Sequence, residues 1–403
     1  MPTRAQVSAW IAGFGLVVPT LVMAQDRTER EILELIVRDG PQAHAIRAEA
    51  EVTRREQLAR LAYPNPGVMY SREGAGFTEF LQVEQSLPVF GVRDALSRAG
   101  VAGTAAAEAD RDARLWVLRA EARAVVARLA AEQRRREAAE SYARDVERLI
   151  EILRTREREG EGSRFDRLRA EQELRDARQL VTSAAVAAAE ARAQVSAMLP
   201  RDTAVERVIG TADEQRPAPA PDALVTRALS TRAELRALAR SAERAALESD
   251  AARRARLPSP TLFGGLKRAD DAAGRQRGGM LGVSVSVPLF DTGGREAARW
   301  SAERARVESE RAAIEQQIRA EIARASEALT LRLAAVSGDQ EATGEELMRI
   351  AEVAYHEGEV GILELLDAVR TASRARTRTI EIRLDARLAQ IALERAVGDV
   401  LWP

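Results

Sequence analysis

The run MLGVSVSVPLFDTGGREA, residues 280–297, decides the fold. Leu281, Val283, Val285, Val287 and Leu289 alternate with Gly282, Ser284 and Ser286, so an extended backbone places one apolar row on one face and small or polar groups on the other. Pro288 removes a ladder donor, Gly293 and Gly294 supply a turn, and from Arg295 the pattern becomes helical; a strand hands directly to a helix. The same design occurs earlier, because Ser86-Leu87-Pro88-Val89-Phe90 matches Ser286-Val287-Pro288-Leu289-Phe290 at an offset of 200 residues. Leu81, Val83 and Leu87 share register with Leu281, Val283 and Val287, and Gln82, Glu84 and Ser86 fall on the opposite face. The chain is a tandem repeat with a small sheet element inside each helical half.

A net charge of −1 implies no polyanionic partner such as nucleic acid. Aromatic residues are 4% and charged residues 31% of the chain, and alanine, leucine, arginine and glutamate dominate, the composition of long helices and coiled coils. With no cysteine and only His44 and His356, thiolate and multi-histidine metal sites within one chain are excluded, and no cofactor is implied. Neither a nucleophile constellation nor a phosphate loop is present, so the chain does not read as an enzyme.

Residues 1–24 read as an export signal, with Arg4 in a positive leader, an apolar run from Ile11 to Val22 and Val22-Met23-Ala24 as the cleavage site. An N-terminal membrane anchor is the competing reading; Gly13, Gly15, Pro19 and the shortness of the run count against it. No other stretch approaches a transmembrane helix, so any membrane crossing must use strands.

The first repeat occupies residues 25–200. A helix over 26–62, interrupted at Gly40-Pro41, leads to the breaker Tyr63-Pro64-Asn65-Pro66-Gly67 and then to strands over 68–72 and 78–87 around a hairpin loop. From Arg93 to about Glu157 one very long helix is expected, its seam passing through Leu115, Leu118, Ala122, Val125 and Leu129 and resuming at Tyr142, Val146, Leu149 and Leu153. Arg134, Arg135 and Arg136 between them read as solvated face. Glu159-Gly160-Glu161-Gly162-Ser163 turns the chain into a returning helix that ends at Leu199-Pro200, and 201–222 reads as an irregular connector.

The second repeat, 223–403, follows the same plan: helix over 223–256, strand over 261–267, a polar loop over 269–279, the organising strand, and a helix from Arg295 to about Glu357 with Gly338 and Gly344 as weak points. Glu357-Gly358-Glu359 repeats the first break 198 residues later, and the last helix ends near Gly398. Four short strands per chain make a poor closed barrel, since about eight are needed before even a filled one closes. Three copies would supply twelve, apolar outward to lipid and polar inward, with every strand edge satisfied. The fold class expected is therefore mainly α with a membrane β-barrel, the long helices forming a second, coaxial helical barrel.

These residues resemble the outer-membrane efflux proteins, the TolC-like channel family, over essentially the full mature length. The resemblance is carried by Asn65-Pro66, by the strand-to-helix signatures over 84–93 and 286–295, and by Tyr355-His356-Glu357-Gly358 followed by Leu363-Glu364-Leu365-Leu366-Asp367-Ala368. It implies a homotrimer in the bacterial outer membrane with its helical barrel in the periplasm. It also implies two partners, a periplasmic adaptor and an inner-membrane pump of the resistance-nodulation-division type. The compact size, the Pro-Leu-Phe signature and the short C-terminus look most like the cation-efflux branch serving heavy-metal pumps.

By that resemblance Glu364 and Asp367 occupy the positions of an acidic constriction, where a ring of carboxylates favours cations. Asp166 and Tyr355 occupy positions that join the tip helices and hold the channel closed. Val360 departs from the pattern, standing where the family has an arginine that helps lock the tip. Spacing alone also fits an ordinary solvated helix turn for Glu364 and Asp367. His356 and Glu357 read as exposed rather than as metal ligands. Leu81, Val83, Leu281, Val283, Val285 and Val287 are the expected lipid-facing side chains. Two rivals stay open: a channel for organic toxicants or polypeptides on the same scaffold, and a periplasmic coiled-coil adaptor.

Overall fold

The computed structural model describes residues 25–402, apart from 75–77, 211–215, 272–273, 288–289, 291 and 337–339. The export signal read over residues 1–24 lies outside the described residues. The chain opens with β1 (Gln25–Thr28), which pairs in parallel with β4 (Val205–Ile209), placing Gln25 opposite Val205 and Thr28 opposite Ile209. This pair corrects two expectations: the first residues are strand rather than helix, and the connector over 201–222 is partly ordered. Thr28 then starts α1 (Glu29–Asp39) through a capping box, its Oγ1 accepting from the Glu31 N–H while Glu31 Oε2 accepts from the Thr28 N–H.

Gly40 separates α1 from α2 (Pro41–Arg60). A Cβ on Gly40 would lie 2.4 Å from the Ile36 carbonyl oxygen and 2.6 Å from that of Met198, so the bend needs a residue with no side chain. Strands β2 (Gly67–Glu73) and β3 (Thr78–Ser86) follow, then α3 (Val92–Glu159). At 68 residues α3 is about 100 Å long, longer than the sequence pattern indicated. Its two glycines near the start, Gly100 and Gly103, leave room for buried Gln57 of α2 instead of breaking it. Helix α4 (Arg164–Met198) returns along α3.

The second half comprises α5 (Pro221–Thr231), α6 (Ala233–Ala255), β5 (Pro260–Asp271), β6 (Gly274–Val285), α7 (Gly294–Val336), α8 (Gln340–His356) and α9 (Ile362–Val397). Three expectations are corrected here. Arg232 interrupts the helix expected over 223–256, with its guanidinium paired to Glu321 at 3.2 Å and its stem lying where a Cβ on Gly398 would be. The polar stretch 269–279 is mostly strand, so β5 and β6 are each 12 residues long. Gly344 is not a weak point: it sits inside α8, where a Cβ would come within 3.0 Å of the Ala375 Cβ, and so permits close approach of α9.

Strands β2, β3, β5 and β6 form one antiparallel sheet in that order. The helices bury three large clusters and a small one, in which Ala120 and Ala127 of α3 meet Ile391 of α9. One joins Ile32 and Ile36 of α1 to Leu118, Val126 and Leu129 of α3 and to Val195 of α4. Its second-repeat counterpart joins Leu224 of α5 to Ile318, Ile322 and Leu329 of α7 and to Leu393 and Val397 of α9. The third lies at the helix tips.

Between the repeats runs a buried ionic chain. Arg123 of α3 contacts Glu394 of α9 and, at 3.4 Å, donates to Glu29 of α1, which also accepts from Arg387 on both carboxylate oxygens at 3.0 Å. The second oxygen of Glu394 accepts the Leu401 and Trp402 N–H groups at 3.1 Å, which fixes the end of the chain. Burial, reinforced by the neighbouring Arg387 charge, lowers the pKa of the Arg123 guanidinium, and its carboxylate partners offset the cost of burying that charge.

Candidate functional site

Both helix hairpins turn with the same backbone chemistry. Gly160 ends α3 and Gly358 follows α8, each at a left-handed φ (80° and 78°) that glycine adopts without strain. Ser163 then caps α4, its Oγ accepting from the Phe165 N–H at 3.1 Å, and Gly361 precedes α9. The two tips share one apolar cluster, in which Val146, Leu149, Ile150 and Leu153 of α3 and Ala170 of α4 meet Ile362, Leu365, Leu366 and Val369 of α9.

Tyr355 is buried in this cluster with the Arg156 guanidinium 5.2 Å from its ring centre. Burial pushes its phenol up; the Arg156 charge opposes this and the Asp166 charge adds to it, so the three groups lie within one electrostatic neighbourhood. The contact seen at Tyr355 is with Arg156, a residue that the sequence reading did not identify. Val360 packs against the same apolar cluster and brings no charge to it.

Glu364 and Asp367 are exposed, on the side of α9 away from its buried residues Ile362, Leu365, Leu366 and Val369. Glu364 stands in the first turn of α9, and its Oε2 lies 3.0 Å from where a Cβ on Gly361 would be, so its charge complements the helix N-terminus. His356 and Glu357 are exposed, and among the described residues no group of three or more histidine, aspartate or glutamate side chains could hold a metal.

A second tie lies farther along the same helices. Arg370 of α9 donates to both carboxylate oxygens of Glu173 of α4, through Nε at 3.2 Å and through Nη2, and the Tyr142 hydroxyl of α3 donates to Glu173 Oε1. Burial works to raise the Glu173 carboxyl, but the hydrogen bonds from Arg370 and Tyr142 outweigh it and hold the pKa below its ordinary value. Beyond it Arg376 of α9 reaches Glu345 of α8 at 3.2 Å and Asp145 of α3 at 3.6 Å. The one sequence signal for this network was Tyr142, a hydroxyl at a seam position, which when buried requires a partner.

At the other end of the molecule the four-stranded sheet has two unlike faces. Register places Tyr70, Leu81 and Leu266 in one row, and Val68, Val83, Gly264 and Leu281 in the next. Leu262 and Val283, then Val285, continue that face. Its apolar side chains are open, with Leu281 81%, Val68 71% and Val283 62% exposed. The opposite face carries Gln82, Glu84, Ser86, Thr261 and Ser284, with the Phe263 ring lying over Gly282, where a Cβ would come within 2.4 Å of it. Val287, grouped with this apolar face on the sequence, lies past the end of β6, because Val285 already pairs with Pro260, the first residue of β5. The outer edges of β2 and β6 have no strand beside them among the described residues.

Nine apolar side chains on one face and two open edges are not a stable arrangement in water. Among the described residues, no helix is long and apolar enough to cross a membrane. Comparison with known proteins gives the same architecture. The family described as outer membrane efflux protein matches residues 224–399. No curated protein matches the chain in sequence. Among solved structures, CusC, studied for conformational changes accompanying folding and transmembrane channel formation, is 18% identical with a TM-score of 0.71, over 93% of this chain and 92% of its own. A membrane protein from Pseudomonas aeruginosa is 21% identical with a TM-score of 0.70, over 92% of this chain and 93% of its own. The open state of the Neisseria gonorrhoeae MtrE outer membrane channel is 21% identical with a TM-score of 0.67, over 92% of this chain and 89% of its own. At such identities the likeness is one of fold, and it spans both repeats.

Proposed function

We propose that the chain is an outer membrane efflux protein, a reading supported by the family match over residues 224–399 and by its fold throughout, and that three copies close into a channel that passes heavy-metal cations out of the cell. In this reading the sheet of each copy supplies a third of a twelve-stranded barrel. Its apolar face, with Leu81, Val83, Leu281, Val283 and Val285, meets the lipid of the outer membrane. The observation that carries the reading is the sheet itself, whose exposed apolar face and unpaired edges are both satisfied by closure with further copies in a bilayer.

The long helices extend the channel into the periplasm, where a periplasmic adaptor and an inner-membrane pump of the resistance-nodulation-division type engage it. Glu364 and Asp367 form an acidic constriction at the tips, and Tyr355, Asp166 and Arg156 tie one tip to the other within each copy. Cation cargo is supported by those exposed carboxylates and by the sequence resemblance to the cation-efflux branch. The test is resistance to a panel of metals and organic toxicants in cells with and without the gene, together with fractionation of the product. Outer-membrane trimers and selective loss of metal resistance are expected. Loss of resistance to organic compounds would keep the channel and reassign its cargo, and a soluble periplasmic product would overturn the channel.

A further inference from the structure

The apolar face of the sheet does not run to the hairpin tips. Two residues beyond Leu81, Leu266 and Gly279, in the direction away from the helices, the next row on that face is Arg72, Glu79, Arg268 and Arg277, followed by Asp270 opposite Arg275. Four arginines and two carboxylates thus share this end of the face. The carboxylates are already engaged. Glu79 lies 3.7 Å from Arg268 and accepts from the Tyr70 hydroxyl at 3.4 Å, and Asp270 lies 3.4 Å from Arg275.

Arg277 has no ion-pair or hydrogen-bond partner among the described residues, and it stands directly opposite Arg268 in the ladder. Like charges paired across two strands are destabilising unless something lies between them. The hairpin loops contribute no acid that could do so, since 75–77 are Ala, Gly and Phe and 272–273 are two alanines. Lys267, the other nearby cation, belongs to the opposite face, where it lies 5.3 Å from the Phe80 ring.

Depth decides what could meet these guanidiniums. From Val285 to Arg277 is eight residues, roughly 27 Å along a strand and roughly 20 Å along the membrane normal at the usual tilt, close to the height of the apolar band of an outer-membrane barrel. Arginine stems also extend along apolar surface to reach the headgroup layer. Because Arg268 and Arg277 are on adjacent strands about 5 Å apart, strand tilt leaves them at nearly one depth.

Resting on the membrane placement proposed above, we propose that Arg268 and Arg277 form a binding site for the phosphate of an anionic lipid headgroup in the outer leaflet. A guanidinium offers paired donors that match phosphate oxygens, and two of them on neighbouring strands can clamp one phosphate group from both sides. The site sits outside the channel, so it secures the barrel in its membrane and takes no part in passing cargo.

The full-length protein is reconstituted in phosphatidylethanolamine vesicles with bisphosphorylated lipid A or with the same lipid dephosphorylated, and flotation establishes insertion. Lipid retained after mild detergent extraction is then counted by native mass spectrometry for the wild type and for an Arg268→Gln/Arg277→Gln variant. The wild type should retain the phosphorylated lipid over the dephosphorylated one, and the variant should retain about tenfold less. Equal retention of the two lipids by the wild type needs no variant and would overturn the proposal, as would undiminished retention by the variant. Displacement of the lipid by inorganic phosphate would show an anion site without lipid recognition and would also overturn it. A wild type that does not float with the vesicles would refute the membrane placement itself, a result distinct from insertion without phosphate preference.

Discussion

Replacing Glu173 by glutamine should loosen the tie between α9 and the first-repeat hairpin. Glu173 is mostly buried, with its side chain 11% exposed, and it takes both donors of Arg370 together with the Tyr142 hydroxyl. Hydrogen bonds to a charged group contribute about 1.5 to 3 kcal/mol each in a buried setting, but Arg370 is itself 36% exposed and regains water when released. A net loss of about 2 kcal/mol is the result, equivalent to about thirtyfold in the ratio of tied to untied tips. Any opening that draws α8 and α9 away from α3 and α4 must break this contact, so the open fraction in single-channel recordings across planar bilayers should rise by about that factor. The pH dependence has a definite sign. Because Glu173 is held below its ordinary value of 4.5, the tie is complete above that value and is lost only as pH falls through the lower folded pKa. The wild type should therefore approach the variant's open fraction only below about pH 4.5. An unchanged open fraction in a well-assembled variant, or wild-type opening already at mildly acidic pH, would refute the reasoning.

Three further outcomes are expected. Val283→Arg places a charge in the apolar rows at a cost of roughly 2 to 4 kcal/mol at midplane, and should abolish heat-resistant trimers in outer-membrane fractions; normal trimers would remove that face from lipid. Replacing Glu364 and Asp367 together by alanine should weaken cation selectivity, read as a shift in reversal potential under a salt gradient, and leave trimer assembly intact. Glu394→Gln leaves Arg123 buried with its charge only partly matched, so stability should fall by about 3 kcal/mol or more in thermal unfolding; a loss well under 1 kcal/mol would show that the ionic chain between the repeats is dispensable.

The sequence was most informative where periodicity reflects burial. The seam residues Leu118, Leu129, Val146, Leu149 and Leu153 are all buried, and the alternation about Val283 marks one open face of the sheet. It was least informative where backbone pairing or distant ion pairs decide. β5 and β6 continue through residues that look like loop, because at the rim of the sheet both faces are polar or small and a ladder of backbone hydrogen bonds needs no apolar alternation. The β1 and β4 pair escaped for a related reason: strands of 4 and 5 residues carry too little pattern, and their partners are about 180 residues apart. At the tips, the motif pointed to Tyr355 and Asp166, but Arg156, Glu173 and Arg370 act through contacts between helices that no local spacing encodes. Val360 was conspicuous as a missing charge; its contacts show an apolar side chain packed into the tip cluster instead.

The central claim is that β6 of one copy pairs with β2 of the next. The chain contains no cysteine, so engineered pairs report without background. With Met69→Cys on β2, a second cysteine is walked along 274–285 of β6, and membrane fractions are run on non-reducing gels. Closure of the barrel predicts disulfide-linked dimers and trimers at a few β6 positions spaced two residues apart, on the face that Met69 shares. Absence of any linked species at every position, from protein that is folded and present in the membrane fraction, would contradict it.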